Sequence, residues 1–353
     1  MDDLAALRAA CTDTIAGNGL QPPAEMLATI GDPDPDRYGE GGVVADLERE
    51  VAALLGKPAA VFLPSGTMAQ AATLRVHADA RGPRTVVWHP LAHPARHEGE
   101  AFARLHGLVG RAAGEPTRLL TLDDVRAVAE PFAALLIELP QRDLGGRLPP
   151  FDELAAQLEW ARDRGAATHL DGARIWEAAA GYGRSPAEVA ALFDTVYVSF
   201  YKGIGALPGC CVAGGEAEVA QVKEWRHRLG GTLYALWPGA ASARRMLPGA
   251  LAEMPARMEH ALAIAAAVAE VPGIRVTPSP PQTPMMHLLL SMSAEAYAAN
   301  ARRLIAADKL WVNPNAAPTG DPDVVMVELT VGSATLRHSP AFVAGTFARL
   351  IRP

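Results

Sequence analysis

In "VYVSFYKGIG", Lys202 follows a run, residues 196–201, that reads as a buried strand, and a glycine comes next. A lysine in that place is either solvated at the strand edge or a nucleophile whose pKa is lowered by desolvation or a nearby cation. In "HLDGARIW", residues 169–176, Asp171 ends an apolar strand and Arg174 lies three residues on. Such a carboxylate can hold a cationic ring nitrogen, and the arginine can bind a planar carboxylate through two parallel hydrogen bonds. A local Asp171–Arg174 ion pair is the plainer alternative. In "PSGTMA", residues 64–69, Ser65, Gly66 and Thr67 would offer N–H groups and a hydroxyl at a helix N-terminus, which suits a phosphate as well as an ordinary capped turn. The nucleotide pattern GxxxxGK[ST] is absent.

Together the three segments supply an imine-forming lysine, a ring-nitrogen partner and a phosphate seat, the set that pyridoxal 5'-phosphate chemistry requires. His93, beyond another strand, can stack on such a ring or relay a proton. His89, His93 and His97 recur every four residues, but Pro90 and Pro94 interrupt a regular helix, so no metal is expected.

The elements that must position these residues alternate. "AAVFL", "RTVVWH", "ALLIELP", "AATHLD" and "DTVYVSF" read as short buried strands, with helices such as "FDELAAQLEWARDRG" between them. That is the texture of a mostly parallel sheet covered on both faces, an α/β fold. Ser65, His89, Glu138, Asp171 and Lys202 all fall just beyond strand ends, where open α/β sheets place their sites. After about residue 240, helices and strands alternate differently and suggest a smaller C-terminal α+β domain. The expected division is 1–240 and 241–353.

The 353 residues are 50% hydrophobic and 20% charged, with a formal net charge of -7. This is a globular composition and gives no reason to expect a nucleic-acid partner. Cys11, Cys210 and Cys211 form neither a disulfide framework nor a metal pattern, so a reducing, cytoplasmic location is expected. No signal-peptide or membrane-spanning pattern is read.

The chain resembles the low-specificity L-threonine aldolases, within the beta-eliminating lyases and the fold type I pyridoxal phosphate enzymes. The likeness runs through "TDT", "RYGEGG", "LEREVAALLGKPAAVFLPSGTMAQ", "THLDGARIWEAAAGYG", "YKGIGALPGCCVAGG" and "WRHRLGG", about the first two thirds. It implies that Lys202 carries the cofactor covalently and that Asp171 pairs with its pyridine nitrogen. His93, followed by Glu98, would lie over the ring, and Gly66 and Thr67 would bind phosphate. Thr12 and Arg174 would hold the substrate carboxylate. Tyr38 would lie near the cofactor, across a subunit interface in a homodimer or homotetramer.

Five positions depart from the family pattern, the first being His227 where a lysine is usual. Tyr201 stands where serine usually precedes the lysine, and Tyr234 where an arginine contacts phosphate. Gln141 replaces an active-site histidine, and Glu328 falls where a second carboxylate-binding arginine is expected, with Arg337 a distant substitute. An amide is no base at neutral pH, so proton transfer falls to His93. The resemblance implies cleavage of a β-hydroxy-α-amino acid to glycine and an aldehyde. The alternative is β-elimination on another amino acid.

Overall fold

The computed structural model describes residues 2–352, and contacts divide the chain into two units. One comprises Ala24–Asp143 and Leu148–Leu251; the other joins Met1–Pro23 and Leu144–Arg147 to Ala252–Pro353. The break expected after residue 240 falls inside a single helix, Trp237–Ala269, which contains Pro248 and Pro255. Interior prolines remove backbone donors, yet the helix runs through both. The first 23 residues, placed with the large domain from sequence, belong instead with the C-terminal unit. There Asp13–Thr14 pairs in parallel with Leu310–Trp311.

The larger unit is built on seven strands: β1 (Ala59–Leu63), β2 (Thr85–Trp88), β3 (Val109–Ala112), β4 (Ala134–Glu138), β5 (Ala167–Gly172), β6 (Thr195–Ser199) and β7 (Cys210–Gly214). Their order is β1-β7-β6-β5-β4-β2-β3. Six strands run one way, and β7 runs antiparallel to both of its neighbours. The expected mostly parallel sheet is present. The segments "VGRA" and "CCVAG" add two strands that the sequence does not signal: the first is exposed throughout, and the second gains its direction only from pairing. The central strands β5 and β6 are buried from end to end, as a sheet covered on both faces demands.

Register then fixes two rows of side chains. Leu136, His169 and Thr195 stand abreast on β4, β5 and β6, and two residues further along Glu138, Asp171 and Tyr197 do the same. Residues two apart on a strand share a face, so both rows lie on one side of the sheet. The Gly66–Arg81 helix packs against β4, β5 and β6. Its Gln70 and His77 reach the first row: His77 Nε2 and His169 Nδ1 each lie 2.8 Å from Thr195 Oγ1, and His169 Nε2 lies 2.6 Å from Gln70 Oε1.

The smaller unit carries a four-stranded antiparallel sheet in the order 317–318, 325–330, 285–290, 274–277. Helices Ala294–Asp308 and Pro340–Ile351 complete it, around a core that includes Met286, Leu288, Leu329, Phe347 and Leu350. This is the expected small α+β domain, enlarged by the N-terminal segment.

Candidate active site

The functional side chains of the larger unit gather at the carboxyl ends of β4, β5 and β6. Asp171 is 2% exposed, and its Oδ1 accepts the Ala173 N–H at 3.2 Å, which fixes the carboxylate at the strand end. Arg174 follows as the residue that opens the helix Ile175–Tyr182. Lys202 lies in the 200–209 connection between the antiparallel strands β6 and β7. Phe200 and Gly209 are hydrogen-bonded there at 3.2 Å, and Gly205 N–H reaches Lys202 O at 3.0 Å. Burial lowers the Lys202 pKa and Arg174 adds to the fall, while Asp171 and Glu138 pull upward. A lowered pKa is what a nucleophilic lysine needs.

His93 begins a short helix at the end of the 89–92 turn. Its backbone N–H reaches Glu138 Oε2 at 3.1 Å, and its Nδ1 lies 2.9 Å from Glu98 Oε1. The hydrogen bond to Glu98 raises the His93 pKa against the opposing effect of burial, with Asp171 helping and Lys202 opposing. Burial raises Glu98 in turn. Glu138 is pushed up to about 7 by burial and by Asp171 beside it. Lys202, Asp171, Arg174, His93, Glu98, Glu138 and Arg142 thus form one electrostatic cluster.

The other histidines of the 89–97 stretch do structural work. His89 Nε2 bonds the Glu115 and Arg118 carbonyls at 3.1 and 2.8 Å, and His97 faces Asp143 at 3.3 Å. Among the described residues no group of three or more His, Cys, Asp or Glu is arranged to hold a metal ion.

Gln141 is buried, and its Nε2 lies 3.3 Å from both Glu138 Oε2 and Leu91 O. Both amide hydrogens are therefore directed at protein acceptors. Gln141 braces Glu138 and the turn before His93.

Ser65, Gly66 and Thr67 open the Gly66–Arg81 helix, and the Ser65 side chain makes no capping bond. A Cβ built on Gly66 would overlap the Tyr197 hydroxyl and stand 3.2 Å from that of Tyr201. Tyr197 went unremarked in sequence because it sits inside an apolar strand; its signal is the register that sets it beside Asp171. Arg142, also missed, follows Gln141 in a short turn and donates its N–H to Glu138 Oε1 at 3.1 Å.

Tyr38 and Tyr234 pair with each other, edge to face at 5.4 Å, and Tyr38 N–H bonds Tyr234 O at 3.0 Å. Tyr38 holds φ +55°, and the buried Asp36 accepts N–H groups from Gly39, Leu236 and Trp237 to lock the two turns together. Thr12 belongs to the smaller unit, where its N–H bonds Lys309 O at 2.9 Å. In that unit Glu328 faces His287 across paired strands at 4.0 Å, and Arg337 is held by Asp13 at 2.6 Å.

The larger unit fits pyridoxal phosphate. It has a desolvated lysine, a fixed carboxylate beside it, and a helix N-terminus whose glycine admits what a Cβ would exclude.

Residues 12–291 match the family model described as beta-eliminating lyase. A putative L-allo-threonine aldolase from Listeria monocytogenes is 35% identical, with a TM-score of 0.91 over 98% of both chains. A putative aromatic amino acid beta-eliminating lyase/threonine aldolase from Exiguobacterium sp. 255-15 is 34% identical, with a TM-score of 0.91 over 98% of this chain and 99% of that one. An aldolase of Penicillium aethiopicum is 32% identical over 235 residues, 64% of this chain; the chain spans only 60% of that relative's length. With the family match covering most of its length, the chain belongs to the beta-eliminating lyase family of fold type I pyridoxal phosphate enzymes, the group that contains the low-specificity L-threonine aldolases.

Proposed function

We propose that the protein cleaves the Cα–Cβ bond of a β-hydroxy-α-amino acid to give glycine and an aldehyde. The observation that carries this reading is the His93–Glu98 pair, set among Lys202 and Asp171. When bound, pyridoxal phosphate supplies a sink for the electron pair released at Cα. Lys202 would hold it, with Asp171 at the ring nitrogen and Ser65, Gly66 and Thr67 at the phosphate; Tyr234 is a further candidate contact. Arg174 would grip the substrate carboxylate, and Thr12 and Tyr38 are further substrate contacts.

The proton path follows from the hydrogen bonding. As a carboxylate, Glu98 accepts the Nδ1–H of His93, so the neutral ring carries its lone pair on Nε2. Nε2 takes the β-hydroxyl proton as the Cα–Cβ bond breaks and the C–O bond becomes a carbonyl. The proton that Nε2 takes is the one that Cα must regain to complete glycine, and Lys202 Nζ, close to His93, would relay it from His93 to Cα. Gln141 supplies no second base, so threonine itself should be a poor substrate within the class.

The protein would act in the cytoplasm as a homodimer or homotetramer. Its three cysteines are free and buried, and Tyr38, Leu233 and Tyr234 present exposed apolar surface suited to a second copy. No helix among the described residues is long and apolar enough to cross a membrane.

The test is incubation with a panel of β-hydroxy amino acids, quantifying glycine and aldehyde. Glycine from at least one member is expected, and His93→Ala should reduce its formation about a hundredfold or more. Keto acid and ammonia with no glycine from any member would replace this reading with β-elimination.

A further inference from the structure

Tyr197 stands in the row that carries Glu138 and Asp171, and Tyr201 is the residue before Lys202. Both hydroxyls lie over the first residue of the Gly66–Arg81 helix, where only a glycine leaves room for them. Tyr197 is 3% exposed, while Tyr201 is 40% exposed. Burial raises the Tyr197 pKa well above its ordinary value, with Cys210, Tyr201 and Asp171 acting in the same direction. The Tyr197 and Tyr201 side chains share a hydrogen bond, so that one hydroxyl hydrogen of the pair is left to donate outward. The helix is 16 residues long, and its first N–H groups have no intrahelical partners and no cap from the Ser65 side chain. A hydroxyl pair beside the N–H groups of a helix N-terminus makes a donor set for a tetrahedral anion.

We propose that the Tyr197 and Tyr201 hydroxyls bind the phosphate group of the cofactor above the Gly66 end of this helix. Tyr201 then fills the place that serine holds in the family pattern, with an aromatic reach. Tyr197 supplies a buried hydroxyl from the strand beneath. The inference rests on the cofactor reading above and deepens it, since a phenol recognises phosphate without contributing positive charge.

The test separates phosphate from ring. Apoprotein of the wild type, Tyr201→Phe and Tyr197→Phe is titrated with pyridoxal phosphate and with pyridoxal, which lacks the phosphate, and binding is followed by absorbance. Tyr201→Phe should weaken pyridoxal phosphate about tenfold or more and leave pyridoxal unchanged. The phosphorus-31 resonance of the bound cofactor should move in the same variant. Because Tyr201 is exposed, that variant carries the test whether or not Tyr197→Phe folds. Equal losses for both ligands would put Tyr201 against the ring, and unchanged affinity for pyridoxal phosphate would remove it from the phosphate; either result overturns the proposal. A wild type that binds neither ligand would instead sink the cofactor reading.

Discussion

Two rows of side chains lie one pleat apart on the same face of β4, β5 and β6, and their polar members behave oppositely. In the first, Thr195 Oγ1 bridges His77 and His169, and Gln70 takes the far nitrogen of His169. Burial drives both imidazoles down to about 3, so they are neutral and fixed. In the second row Glu138 is pushed up to about 7, and Lys202 and His93, close by, are shifted toward each other from opposite ends of the scale. Imidazoles whose nitrogens are held by protein groups deep under a helix are structural. At the strand ends Glu98, Glu138, an amine and an imidazole crowd around Asp171 with their pKa values displaced, a pattern typical of proton-transfer sites.

Exchanging the two rows by mutation gives the largest effect. Asp171→Asn should lower turnover on the order of a hundred- to a thousandfold while cofactor still binds, because ring protonation stabilises charge that develops during the reaction. Thr195→Val, one pleat away, should leave turnover within about twofold but cost about 1–3 kcal/mol of stability, read as a lower midpoint in denaturant. Comparable turnover losses in both would mean that the rows are not distinct.

The first row also has a pH signature. The folded pKa values of His77 and His169 lie below the ordinary 6.5, so the unfolded chain binds protons that the folded one refuses. Their contribution is complete above 6.5 and is lost as pH falls toward about 3. Denaturation midpoints measured across that range should decline, and a flat profile would contradict the neutral network.

The second row has the opposite sign at His93. Glu98 raises its pKa, so a His93 base loses its proton, and activity rises, at a higher pH than an ordinary imidazole would give. Glu98→Gln should move this acidic limb of the rate profile to lower pH by on the order of one pH unit. A limb that stays put would detach Glu98 from the base. The smallest effect is expected at Gln141, which braces Glu138 without reaching the chemistry: Gln141→Ala should change turnover less than about tenfold. A loss as deep as that of His93→Ala would give Gln141 a direct part.

Much of this was legible because a few residue types fell just beyond strand ends. Lys202, Asp171 and Arg174 are short-range signals, and alternation of buried strands with helices places them. Tyr197 was hidden because, read along the chain, it is one more apolar strand residue; only the pairing of β5 with β6 sets it beside Asp171. The direction of β7 was hidden for the same reason. The boundary expected after residue 240 falls inside one helix, Trp237–Ala269, and the first 23 residues join the C-terminal unit, where Asp13–Thr14 pairs with Leu310–Trp311, a contact far apart in the sequence. The pairing of Tyr38 with Tyr234 depends on Asp36 tying together segments 200 residues apart.

The central claim is that the strand-end row serves a cofactor held by Lys202. Borohydride reduction of the purified holoprotein, followed by peptide mapping, tests it most directly. A pyridoxyl group on the peptide containing Lys202, and none in Lys202→Ala, is the expected result. A modification on another lysine, or none on a protein that binds pyridoxal phosphate, would contradict it.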